Sequence, residues 1–128
     1  MNEPGRPYII RYWFEWCVPC FWGVDERTKE RFGSPIEPEY LPLSPETIAR
    51  VYELIEWHDQ SLNWEYPPDP GPWRQDECDR FNSAARELLE ICRRELGENF
   101  ELINAHKNIS EDPDLDAYLQ NPKEFKRR

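Results

Sequence analysis

The sequence predicts an α/β (α+β) fold in which two main helices pack on a small sheet. Three observations carry this. Residues Tyr8 to Cys17 alternate with period two in aromatic and β-branched types, two later segments repeat apolar residues every three or four positions, and Phe100 to Asn104 is a second β-type run. With 128 residues, the chain has the length of one domain. It can bury about two-thirds of its unfolded surface, so folding needs neither disulfide nor metal.

In the first run, Tyr8, Ile10, Tyr12, Phe14 and Trp16 lie on one face, with Ile9, Arg11, Trp13, Glu15 and Cys17 on the other. Both faces are largely apolar, which suits a central strand buried on both sides. The charged stretch from Asp25 to Arg31 predicts a short helix before Gly33. A longer helix begins at Ser44, which can cap it; Pro45 follows at the first helical position, and Glu46 favours the positive end of the dipole. Its apolar stripe is Ile48, Val51, Tyr52, Ile55, His58 and Leu62, and Glu46, Glu53, Glu56, Trp57 and Gln60 lie opposite. A second helix runs from about Gln75 to Leu96, with Cys78, Phe81, Ala85, Leu88, Leu89, Cys92 and Leu96 inward, and Gly97 ends it. Phe100 to Asn104 is the second strand. Two strands alone are marginal, so a third short one is expected between Cys20 and Tyr40, in a sheet expected to be antiparallel. Residues 1–106 then form the single globular domain. Residues 107–128 form a polar C-terminal tail, with a weak helical pattern at Asp114 to Gln120 and a basic tip, Lys126-Arg127-Arg128.

The formal net charge is −10, and it is uneven. Residues 1–32 balance five acids with five bases, residues 33–100 carry 15 acids against six bases, and residues 101–128 carry six against five. An acidic surface repels nucleic acid and anionic membranes, so neither is expected as a partner. Long apolar runs are absent, and Met1 to Pro7 contain no apolar signal core, so a cytoplasmic location is expected. Four cysteines are then expected as thiols.

The strongest chemical motif is Trp16-Cys17-Val18-Pro19-Cys20. It is similar to the active-site sequence of thioredoxin, where a helix N-terminus activates the first thiol. Here only one strand precedes it, and Gly23 stands where a long helix should start, which favours a tight, partly buried turn. Cys17 and Cys20 also have zinc-ligand spacing, but neither Cys78 with Cys92 nor His58 with His106 is spaced as a second pair. With two histidines and no phosphate loop, nucleophile elbow or His-x-x-x-His pair, no catalytic residue, cofactor or metal is expected.

Ser61 to Trp73 is the most distinctive segment, with four prolines that stiffen the connection between the helices. Its Trp64, Tyr66 and Trp73 either clamp the connection to the core or form a rigid aromatic display beside Glu65 and Asp69.

Leu41-Pro42-Leu43-Ser44-Pro45-Glu46-Thr47, Ser61 to Pro70, Phe81-Asn82 and Arg94-Glu95-Leu96-Gly97 together resemble a set of small acidic bacterial proteins. These are similar to immunity proteins that accompany polymorphic toxins, including contact-dependent inhibition systems. The likeness spans roughly residues 8–105 and names no chemistry. It implies a non-catalytic protein that binds and neutralises a cognate protein toxin, as a monomer or weak homodimer. Charge then suggests a basic toxin, a nuclease being the class such a surface suits, and contact residues Glu46, Glu53, Glu56, Trp57, Gln60, Glu65 and Asp69. The alternatives are a thiol-redox protein using Cys17 and Cys20, and an adaptor domain without a toxin partner.

Overall fold

A computed structural model of the chain describes residues 6–127. Strand β1 (Tyr8–Tyr12) is the centre of a three-stranded sheet of order β2-β1-β3. β2 (Phe21–Gly23) is the expected third strand; it runs antiparallel to β1, with Tyr12 opposite Phe21. β3 (Phe100–Asn104) runs parallel to β1, with Tyr8 opposite Phe100. The sheet expected to be antiparallel is therefore mixed. Strand composition reports which faces are buried, not direction, and a connection carrying whole helices allows a parallel return. β1 also stops short of Cys17. β2 offers only three residues to pair with; Trp13 N then donates to Cys20 O at 2.9 Å, and Phe14 stays buried beyond the ladder.

Asp25 caps α1 (Glu26–Phe32) by accepting from Thr28 N, and Thr28 Oγ1 accepts from Ile9 N at 3.0 Å, which fixes this helix to the end of β1. The main helices α2 (Pro45–Asp59) and α3 (Gln75–Leu96) pack on each other and cover the sheet face that carries Ile10, Tyr12 and Phe14. Tyr12 donates its buried hydroxyl proton to Ala85 O at 2.7 Å, joining the central strand to α3. Phe81 sits at the middle of the core, with Phe14 edge-on at 5.2 Å. Gly97, at φ +70°, ends α3 in the left-handed region, which favours glycine.

The buried side of α2 is Thr47, Val51, Leu54, Ile55 and His58, while Ile48 and Tyr52 are half-buried. This face is rotated from the predicted stripe toward Thr47 and Leu54. The cause lies on α3: Glu95 Oε1 accepts from Ser44 N at 2.7 Å, and Oε2 accepts from Thr47 Oγ1 at 2.6 Å and Ser44 Oγ at 3.2 Å. That clasp pulls the Thr47 side of α2 against α3. The second face of the predicted strand is not buried as expected: Arg11 and Trp13 are exposed, with the Trp22 ring 6.1 Å from that of Trp13 and its Nε1 donating to Trp13 O at 2.9 Å.

The C-terminal segment folds back on the domain. Asn82 Nδ2 donates to Ile109 O at 2.8 Å and its Oδ1 accepts from Ile109 N at 2.9 Å. Gln75 and Glu111 each donate a backbone N–H to the other's side chain. The short helix α4 (Leu115–Gln120) buries Leu115.

Candidate partner-binding site

The outer face of α2 presents Glu46, Glu53, Glu56 and Gln60 to solvent. Glu53 pairs with Arg50 at 3.0 Å, both partners well exposed, so this bond adds little stability. Trp57 departs from its neighbours. It is half-buried, with Phe81 edge-on at 5.3 Å and Trp73 at 5.9 Å, and its Nε1 donates to Glu77 Oε2 at 2.7 Å. It brackets α2 to α3 and leaves only part of its ring to a shallow cleft of 420 Å³ with Arg50, Asp79, Arg80 and Glu87. The charge there is mixed.

The proline-rich connection is locked by its own polar groups. Asn63 Oδ1 accepts from Glu65 N and Tyr66 N, and Nδ2 donates to Pro70 O at 3.2 Å. Gly71 lies so close to Ser61 O that a Cβ would collide with this carbonyl. The three aromatic residues then divide. Trp73 is buried and clamps the loop, whereas Trp64 and Tyr66 are 55% and 59% exposed. Trp64 Nε1 donates to Asp59 O at 2.7 Å, so an exposed ring is held in one pose at the end of α2. Glu65 stands exposed between the two displayed rings.

Asp69 is half-buried and lines a neighbouring cleft of 340 Å³ with Trp16, Asn63, Trp73, Glu111, Asp112 and Arg127. The Trp16-Cys17 turn docks on the same end of the molecule: Trp16 Nε1 donates to Ser61 Oγ at 3.0 Å and Cys17 N to Asp59 Oδ1 at 2.8 Å. Gln60, Glu65 and Asp69 thus belong to one end of the molecule, and Glu46 to the far end of α2. Sequence reasoning missed Trp16 and the tail residues Glu111, Asp112 and Arg127 as part of this end. The available signal was the run of acids from Glu111 to Asp116 set against a basic tip. The Arg127 guanidinium bonded to Asp112 holds that carboxyl below its usual range.

Cys17 is exposed and left-handed at φ +69°, and the element that follows it is a strand, not the helix that the redox motif requires. Cys20 is fully buried, and burial pushes its thiol well up. Cys78 and Cys92 lie inside α3 and are raised by burial as well. Among the described residues, no group of three or more His, Cys, Asp or Glu side chains is placed to hold a metal ion. No described helix is long and apolar enough to cross a membrane.

The segments that carry the family resemblance meet in space. Ser44 and Thr47 bond Glu95, and the connection from Ser61 is held beside Phe81 through Trp73. The Glu95 contacts fix the start of α2, and the Ser61 connection fixes its other end. No curated protein matches the chain. A family described as Serratia CdiI immunity protein-like matches residues 8–107, from the first residue of β1 to just past β3. The chain belongs to the Serratia CdiI immunity protein-like family.

Proposed function

We propose that this chain is a cytoplasmic, non-catalytic immunity protein that binds a cognate toxin domain and neutralises it. The toxin would be basic, and a nuclease is the class that an acidic inhibitor suits best. The carrying observation is the locked connection, which displays Trp64 and Tyr66 with Glu65 between them and Asp69 beside them. Rigid aromatics lose little freedom on binding, and the carboxylates steer a positive cleft toward them while repelling nucleic acid and membranes. Gln60, Glu56, Glu53 and Glu46 extend the acidic surface along α2. Trp57, already committed to Phe81 and Trp73, contributes only its exposed edge. The free protein is a monomer or weak homodimer.

The test takes as partner the protein encoded by the gene immediately upstream. Glu65→Lys with Asp69→Lys should slow association steeply at low salt and little at high salt, because the interaction is screened. Glu53→Lys with Glu56→Lys should do so more weakly, and Trp64→Ala with Tyr66→Ala should act on dissociation. If neither charge-reversed pair alters association at low ionic strength, the surface is wrongly assigned. Absence of any binding by the wild-type chain would overturn the immunity reading itself.

A further inference from the structure

Arg127 is seated in a cradle built by two distant segments. Its Nε donates to Pro68 O at 2.8 Å, Nη2 to Asp112 Oδ2 at 2.6 Å, and Nη1 to Asp114 Oδ2 at 2.9 Å and Asp112 Oδ1 at 3.3 Å. Asp112 is held in register independently, since its Oδ1 also accepts from Asp114 N at 2.9 Å. A carbonyl and two carboxylates therefore meet all three guanidinium nitrogens. Paired acceptors of this kind fit a planar fork better than a point charge. The cradle opens into the 340 Å³ cleft, whose walls include Trp16 and Trp73 and whose other carboxylates are Asp69 and Glu111. Arg127 is the one basic side chain lining that cleft among the described residues. Without it, the cleft would offer an arginine paired acceptors in a cavity with aromatic walls, and the Phe125 ring, 5.8 Å from the Arg127 guanidinium, stands beside them.

We propose that this cradle is an arginine-binding subsite, filled by Arg127 in the free chain and by an arginine of the toxin in the complex. This rests on the toxin-binding reading above. Arg127 suits the part of a displaceable occupant. Its side chain is 40% exposed, and Asp112 and Asp114 are 21% and 46% exposed, so solvent screens the pairs in part and most of all the one with Asp114. A tethered side chain competes with an effective concentration on the order of millimolar, which an arginine fixed on a complementary protein surface can exceed. The tail thus covers an acidic, aromatic cleft until a basic partner arrives.

The experiment titrates N-acetyl-L-arginine methylamide into the full chain, following the backbone amides of Asp112 and Asp114 by NMR. Arg127→Ala should take up the probe at least about tenfold more tightly than wild type, a difference of about 1.4 kcal/mol. Adding Asp112→Asn should abolish the gain, and the corresponding lysine derivative should bind several-fold more weakly. If Arg127→Ala melts below the titration temperature, Arg127→Lys replaces it, with uptake still expected above wild type. Equal uptake by wild type and variant, or uptake insensitive to Asp112→Asn, overturns the proposal. Such a failure leaves toxin binding intact, whereas a toxin that binds neither chain removes the immunity reading while arginine uptake persists.

Discussion

Trp16 lies almost flat on His58, with ring centroids 5.3 Å apart and planes 25° from parallel, and so carries the Cys17 turn onto the inner side of α2. Phe14 and Phe81 enclose the same imidazole at 5.6 and 5.5 Å, and its Nδ1 has no hydrogen-bond partner. Burial, and then the charge of His106, push His58 from its ordinary 6.5 down to about 4.

A pH dependence follows from that enclosure. The unfolded chain binds the His58 proton near 6.5 and the folded chain only near 4. Its contribution is complete above 6.5 and is lost as pH falls toward 4, by about 3 kcal/mol. His106, also lowered by burial, acts in the same direction. Urea unfolding between pH 7.5 and 4 should show the slope, and His58→Phe should flatten it. A wild-type curve that is level across this window would contradict a buried neutral imidazole.

The tryptophans should separate by role. Trp73→Ala is expected to cost about 3–5 kcal/mol, as for other large core truncations. Trp57→Ala should cost about 2–4 kcal/mol, because it loses core packing together with its bond to Glu77. Trp64→Ala should cost about 1 kcal/mol or less and yet speed toxin dissociation. Chemical denaturation of the three variants, beside toxin off-rates, checks this ordering.

Glu95 should matter more than its place in a charged helix end suggests. Burial would raise its carboxyl, but the bonds from Ser44 and Thr47 outweigh that and hold it below its usual range. Glu95→Ala removes three acceptor contacts at the start of α2 and should cost about 2–3 kcal/mol, against about 1 kcal/mol for Ser44→Ala. Thermal melting of both variants tests the ranking; equal costs would mean that the clasp adds nothing to an ordinary cap.

Replacing Cys17 and Cys20 with Ser should leave toxin affinity within about tenfold, some 1.4 kcal/mol. The wild-type chain should fail to reduce insulin. Reduction that disappears in the double variant would restore the redox reading.

Much of the fold was legible because its signals are local. The span Gln75–Leu96 of α3 follows from its apolar period and Gly97, and β3 from its composition. The direction of β3 was not legible, since the pattern of a strand records its faces and not its polarity. Trp57 illustrates a second limit. At about 100° per residue it lies only about 60° from Leu54, on the border between faces, and a small rotation of α2 turns it onto Phe81. Glu46, Glu53, Glu56 and Gln60 lie well inside the outer face and are exposed. The packing of the tail was hidden for another reason. Most of its contacts run through polar atoms, as between Gln75 and Glu111 or Arg74 and Asp116, and these leave no apolar period to read.

The parallel pairing of β1 with β3 has a consequence for synthesis. Tyr8 pairs with Phe100, so nearly all of the family-matched span must be made before the central strand gains its second neighbour. Closing a loop of that size costs about 4 kcal/mol in chain entropy beyond a constant. At about 5–20 residues per second, the aromatic β1 waits roughly 5 to 20 s on the ribosome with one ladder edge open. Such an edge is where nascent chains aggregate. The sheet closes only once Phe100–Asn104 have emerged, so the burden of early protection of that edge falls on chaperones.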